Sequence, residues 1–233
     1  MQRIAINPNQ IQDKQITLTS AQQHYLYRVL RLQKGDKFIA MDGMGKWWLS
    51  QLDNTNALIL HQLTVETELP VDVTLMVALP KGNGFDDIVR CCTELGVNCI
   101  APVIGDRTLL KPSSQKLERW HRIATEAAEQ SERAKLPQIL EPIAFNQSVV
   151  SFANCEKYIC VARGDSPHLL HCLQNQENTE VVIATGAEGG WTEKEVEFAL
   201  KNGFKQVSLG SRILRAVTAP IVVMSLISGV SEV

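Results

Sequence analysis

No apolar run in this sequence has the length of a membrane span. The longest late candidate, residues 216–230, falls short of the roughly 20 residues that a bilayer requires and contains Pro220. It reads as a buried or interface helix. An apolar leader is also missing: Met1 to Gln10 is polar, so no secretory or transit segment is expected and a cytoplasmic location is. Six cysteines (Cys91, Cys92, Cys99, Cys155, Cys160, Cys172) form no CxxC pair, which leaves reduced core thiols as the simplest reading. His168, His171 and Cys172 follow Cys160 without the tight paired spacing of a zinc site, so no metal is expected. A charge excess of one sign is lacking too, because 23 Lys and Arg against 25 Asp and Glu leave a net −2. That balance offers no global attraction to nucleic acid. Neither the dinucleotide fingerprint nor the P-loop pattern occurs, and no repeat or low-complexity tract appears.

What is present suggests an α/β chain in two parts. With 233 residues, 45% of them hydrophobic, a small domain and a medium one can each bury a core. Residues 1–68 read as a compact, mostly β unit. Strand patterns fall at Arg3 to Ile6, Lys37 to Met41, Lys46 to Leu52 and Ala57 to Leu63. A helix begins near Ser20, taken as its N-cap, with Leu26, Val29 and Leu30 on one face. Asp42-Gly43 supplies a turn signal. Trp47 and Trp48, adjacent in a strand, must point to opposite faces.

From residue 69 the rhythm changes after the polar connector Thr64 to Pro70. Strands at Val73 to Leu79, Cys99 to Val103, Tyr158 to Ala162, Val181 to Thr185 and Gln206 to Leu209 alternate with helices. The helices fall near Asp86 to Leu95, Ser114 to Ala134, Pro167 to Leu173 and Glu193 to Asn202. Thr192 and Glu195 form a capping box for the last of these.

Local chemistry concentrates in three loops and one basic stretch. Residues 107–135 hold seven basic residues (Arg107, Lys111, Lys116, Arg119, Arg122, Arg133, Lys135) against four acidic ones. This fits either phosphate contact or a solvated helix face. The first loop, Leu79-Pro80-Lys81-Gly82, leaves a strand end, where parallel sheets bind ligands. The second, Thr185-Gly186-Ala187-Glu188-Gly189-Gly190, packs three glycines into five residues. It lets a ligand approach the backbone, or serves only as a helix-entry turn. The third, Leu209-Gly210-Ser211-Arg212-Ile213-Leu214-Arg215, would set Arg212 and Arg215 on one face of a helical turn. Both could reach phosphate or simply face solvent. Cations at a helix start oppose the macrodipole and need some other reason to be there.

Taken in order, these residues resemble the RsmE family of the knotted SPOUT superfamily. The resemblance is carried by His24 to Gly43 (HYLYRVLRLQKGDKFIAMDG), Thr93 to Val97 (TELGV), Glu126 to Arg133 (EAAEQSER), the GAEGG loop and the segment LGSRILRAVTA. It implies a PUA-like β-barrel over 1–68 and a SPOUT α/β domain with a deep C-terminal trefoil knot over 69–233. It further implies S-adenosylmethionine as cofactor, N3 of a uridine in 16S ribosomal RNA of the small subunit as target, and a homodimer whose active site needs both subunits. Motif match assigns cofactor contact to Leu79, Pro80, Ala162, Thr185, Gly186, Glu188, Gly189, Gly190, Leu209, Gly210, Arg212, Ile213 and Leu214. Arg3 is the expected contact with the target uridine, and Arg28, Arg31, Arg133 and Arg215 are the expected RNA contacts.

Three positions depart from the family pattern. Ala187 stands where a proline is usual, Val217 where a glutamate is, and Arg90-Cys91-Cys92 where a lysine is. The loss at Val217 leaves room for a non-catalytic RNA-binding or assembly protein. An enzyme acting on another RNA base is the second alternative.

Overall fold

A computed structural model describes residues 1–108, 112–153, 155–174 and 179–232. Lys111 of the basic stretch lies outside them. The chain forms two compact units, one of residues Met1–Glu68 with Ala128–Leu136 and one of Leu69–Ala127 with Pro137–Val233.

The first unit is a six-stranded sheet built from β1 (Arg3–Ala5), β2 (Ile11–Gln12), β3 (Gln15–Thr17), β4 (Lys37–Met41), β5 (Trp47–Asp53) and β6 (Asn56–Leu63). Its order is β1-β4-β5-β6-β3-β2, with only β1 and β4 parallel. The apolar run in β4 follows from burial on both faces. Phe38 and Ala40 join Ile4, Ile16, Leu26 and Leu52 in one cluster, whereas Ile39 and Met41 meet Trp47, Ala128 and Ala134 in another. Trp47 and Trp48 divide between those two clusters, as adjacent strand residues must. In the β4–β5 turn, the Asp42 carboxylate accepts from the N–H groups of Met44 and Lys46 at 2.8 and 2.9 Å.

Helix α1 (Ser20–His24) is capped by Thr19, one residue earlier than expected. Thr19 Oγ1 accepts from the Gln22 N–H at 3.2 Å, and the Gln22 side chain returns the bond to the Thr19 N–H at 2.9 Å. A π-helix, Tyr25–Val29, follows directly.

The second unit holds a seven-stranded, all-parallel sheet. Its strands are β7 (Asp72–Ala78), β8 (Cys99–Ile104), β9 (Gln138–Ile139), β10 (Ile143–Ala144), β11 (Glu156–Cys160), β12 (Glu180–Thr185) and β13 (Lys205–Val207). The order is β10-β8-β7-β12-β11-β13, with β9 also paired to β8. Alternate residues of β7 and β12 enter opposite layers: Val73, Leu75, Val77, Val181 and Ile183 lie in one, and Met76, Ala78, Val182 and Ala184 in the other. Helices α2 (Gly84–Glu94), α3 (Ser114–Gln130), α5 (Leu169–Gln174) and α7 (Thr218–Ser231) supply the first layer through Phe85, Ile88, Trp120, Leu169 and Val223. Helices α4 (Phe145–Ser151) and α6 (Glu193–Lys201) supply the second through Phe145, Val149 and Ala199. Pro220 falls in the first turn of α7, where a missing N–H is harmless.

Two expectations are corrected here. The helix from Ser114 stops at Gln130 rather than Ala134, because Glu132 turns into the left-handed region at φ 65° and ends the helical path. Arg133 is not a surface cation for RNA. It is 2% exposed, and its Nη2 pairs with Glu68 at 2.5 Å. The other Glu68 oxygen accepts from the Lys135 N–H at 3.0 Å, so one carboxylate ties the segment after α3 to the end of the β unit. Removing one partner of such a pair strands the other charge. Arg133→Ala is therefore expected to destabilise the protein by about 3–5 kcal/mol, read as a lowered urea midpoint. A midpoint within error of the parent would show the pair to be dispensable.

Candidate functional site

Loops leaving the carboxyl ends of β8, β11, β12 and β13 enclose a cleft of about 420 Å³ in the second unit. That volume suits a cofactor-sized molecule. The loop after β12 forms one wall with Gly186, Glu188, Gly189 and Gly190. The segment after β13 forms another with Leu209, Gly210, Arg212, Ile213 and Leu214, and Ala162 contributes from the end of β11. Ten of the expected cofactor residues thus gather around one cavity. Leu79, Pro80 and Thr185 do not line it. Leu79 and Thr185 are buried behind the wall, 1% and 0% exposed, because Thr185 ends β12 and Leu79, directly after β7, enters the core.

The glycines have distinct physical reasons. A Cβ at Gly186 would lie 3.1 Å from the Gly190 Cα and 3.4 Å from the Trp191 N, backbone atoms that cannot rotate away. Gly190 and Gly210 hold φ values of +64° and +108°, disfavoured for residues with a Cβ. The loop is closed by the Gly190 N–H donating to the Ala187 carbonyl at 2.8 Å. Ala187, where the resemblance implies a proline, is 8% exposed and packs on the core beneath. Val217, where the resemblance implies a glutamate, packs against the core with its Cγ2 over Gly84, where an added Cβ would approach to 2.7 Å. It does not line the cleft.

The wall is braced from three directions. The Lys81 N–H donates to Glu188 Oε1 at 2.9 Å, joining the loop after β7 to the glycine loop. At the start of α6, the Glu195 carboxylate accepts from the Thr192 and Asp106 N–H groups at 2.7 and 2.9 Å. The backbone of Val207 and Ser208 is bonded to Val161, Pro167 and Leu169 at 2.9 to 3.0 Å, which fixes the approach to the third loop. Arg212 and Arg215 do not share a helical face. The chain from Ser211 to Arg215 is irregular, and α7 begins only at Thr218.

Sequence reasoning missed Arg107. It follows β8 and lines the cleft, and its Nη1 donates to the carbonyls of Gly189 and Trp191 at 2.5 and 3.2 Å. The rule that ligands sit beyond strand carboxyl ends would have found it had it been applied to β8 as to the other strands. Arg163, adjoining Ala162, was missed likewise. With Arg212 these give the cleft three guanidinium groups, while Glu188 is its lone carboxylate among the described residues. Cys160 forms part of the lining, and burial pushes its thiol up to about 12. It stays protonated at neutral pH and is no nucleophile.

Arg3, Arg28 and Arg31 belong to the first unit. Arg3 is ion-paired with Glu132, donates to the Met1 carbonyl at 3.2 Å and lies over the Trp47 ring at 5.5 Å. Arg28 and Arg31 are exposed, as is Arg215 in the second unit. Because Arg107 spans the mouth of the glycine loop, Arg107→Ala is expected to weaken ligand binding in the cleft roughly tenfold, the loss of about 1.4 kcal/mol that one charge-assisted bond can supply. Arg107→Lys should restore only part of it, since one ammonium cannot reproduce the planar fork. Equal affinities for all three proteins by titration calorimetry would remove Arg107 from the site.

Comparison with known proteins bears on the whole chain. Residues 67–228 match the RNA methyltransferase domain family, and residues 18–59 match the RNA methyltransferase PUA domain family. Ribosomal RNA small subunit methyltransferase E of Synechocystis sp. is 50% identical over 236 residues, covering 99% of this chain and 78% of that protein. The enzyme of the same name from Bacillus subtilis is 31% identical, with coverages of 100% and 98%. The crystal structure of ribosomal RNA small subunit methyltransferase E from Neisseria gonorrhoeae bound to S-adenosyl methionine superposes with a TM-score of 0.89 at 29% identity, covering 98% of this chain and 97% of that one. The chain therefore belongs to the RNA methyltransferase family whose members are named ribosomal RNA small subunit methyltransferase E, the RsmE family.

Proposed function

We propose that this protein uses S-adenosylmethionine to methylate N3 of a uridine in 16S ribosomal RNA. The observation that carries the reading is the glycine-walled cleft at the strand carboxyl ends, in a chain whose gonococcal relative was crystallised with that cofactor. The residues fit the group. Backbone at Gly186, Gly189 and Gly210 is bare enough for close approach, and Val161, Leu209 and Leu214 offer apolar surface beside polar Glu188. Thr185, Leu79 and Pro80 support these walls from behind.

The bound cofactor supplies an electrophilic methyl group. The chain's own task is the other half of the chemistry, because neutral uracil carries a proton on N3 and is a poor nucleophile. Glu188 is a weak candidate for its removal, since one oxygen already accepts the Lys81 N–H. Anion stabilisation by arginine is the better-supported route, as guanidinium stays charged and directional. Arg3 is assigned to the target uridine, with its guanidinium oriented beforehand by Glu132 and Trp47. Arg215 is assigned to the RNA backbone. A homodimer is part of the proposal, supported by the apolar composition of α7. So is the trefoil knot, supported by the bonds laying Val207 and Ser208 beside Val161 and Leu169. Work on ribosomal RNA suits a cytoplasmic protein. No helix among the described residues is long and apolar enough to cross a membrane, and they contain no cluster of metal-ligating side chains.

The deciding measurement is titration of the full chain with S-adenosylmethionine, followed by labelled-methyl transfer to small ribosomal subunits. Micromolar binding is expected, lost in Gly189→Trp, because even a Cβ there would meet the Arg107 side chain at 3.0 Å. Nucleoside analysis should find the label on uridine N3. Label on another base would favour the alternative enzyme, and absence of binding by folded protein would favour a non-catalytic RNA-binding role. Separately, Arg3→Ala should cut turnover at least tenfold with cofactor affinity unchanged. Unaltered turnover would remove Arg3 from uridine contact.

A further inference from the structure

The β unit carries a surface that the cofactor cleft does not use. From Lys14 to Gly35 the sequence contains no aspartate or glutamate. Arg28, Arg31 and Lys34 are all exposed within that stretch. Lys34 is paired with Asp53 at 2.8 Å, but Arg28 and Arg31 have no carboxylate partner among the described residues. The carboxylates nearby are already engaged, Asp53 by Lys34 and Asp36 by the Gln33 N–H at 2.7 Å.

Beside them the backbone makes an unusual turn. The π-helix Tyr25–Val29 is closed by the Leu30 N–H donating to the Tyr25 carbonyl at 2.9 Å, and such wide turns concentrate at functional positions. The turn is firmly seated. Leu26 is fully buried, Leu30 packs on the same core, and the Tyr27 hydroxyl donates to the Asn54 carbonyl at 2.6 Å. Tyr25 and Val29 are left outside, 39% and 56% exposed. Arg31 then adopts a left-handed φ of 56°, costly for a residue with a long side chain. Tyr25 is thus a partly exposed aromatic residue three and six positions before two exposed arginines.

We propose that Tyr25 is a stacking platform for an unpaired base of single-stranded RNA, with Arg28 and Arg31 holding the adjacent phosphates. The assignment rests on the RNA reading above. It adds that this surface selects single strands, because a base inside a duplex has no free face to stack on a side chain. A protein partner fits less well, since two exposed guanidinium groups with no carboxylate partner among the described residues favour a polyanion over an apolar interface.

The test uses the full chain with a short unstructured labelled oligoribonucleotide and a duplex of equal length, read by fluorescence anisotropy across a salt series. Tyr25→Ala should weaken single-strand binding roughly 5- to 100-fold, and Tyr25→Phe should stay near the parent because the ring remains. Arg28→Gln with Arg31→Gln should lower the log–log salt slope by about 1.4, at roughly 0.7 for each phosphate no longer neutralised. Affinity for S-adenosylmethionine should be unchanged in every variant. Equal loss in Tyr25→Ala and Tyr25→Phe, an unaltered salt slope, or tighter parent binding to the duplex would each overturn the inference. A fall in sedimenting mass of Tyr25→Ala would overturn it too, marking the surface as a protein contact. If the parent binds cofactor but neither RNA, the RNA reading itself fails, whereas parent-like RNA binding by all variants defeats this inference alone.

Discussion

A parallel sheet buried on both faces constrains everything else in the second unit. Its central strands are hydrogen-bonded side by side, and their side chains enter two apolar layers. Polar function can therefore emerge only at the strand ends. At the carboxyl ends, the loops after β8, β11, β12 and β13 converge on one cleft. Its shape is set by backbone proximity. Gly186 and Gly190 sit too close for a Cβ, and Glu188 spans the gap to the loop after β7.

Charge is used by location rather than by total. The chain is slightly acidic overall, yet the cleft is lined by three arginines and one glutamate. Identical residues serve different ends according to whether a carboxylate is in reach. Arg133 meets Glu68 inside the fold and stabilises it, Arg3 is oriented by Glu132, and Arg28 and Arg31 have no carboxylate partner among the described residues. A count of basic residues along the segment 107–135 could not have sorted these roles.

Much of the architecture was legible in the residues themselves. Short apolar runs between helical segments located the long strands, the Thr192 and Glu195 pair marked the start of α6, and clustered glycines marked the wall of the cleft. The order of the motifs along the chain was enough to point to the family. Less was legible where no period or local bond speaks. Strands β2, β9 and β10 have two residues each, too few to show a pattern, and α4 starts at Phe145 with Ala144 before it and no side-chain cap. The N-cap fell one residue from its expected place because Thr19 and Ser20 are both good caps, and the Gln22 side chain chose between them.

By itself, then, the sequence determined the α/β class, the glycine loops and the family. These depend on local periodicity, backbone freedom and motif order, which are written along the chain. Only the tertiary structure decided that Arg107 clasps Gly189, that Arg133 is buried on Glu68, that Arg212 and Arg215 precede rather than begin a helix, and that Val217 rests over Gly84. Each of these is a contact or a burial between residues far apart in sequence, or a backbone path set by such contacts. A long side chain has no intrinsic preference among partners, so its role is settled only when folding brings one within hydrogen-bonding distance.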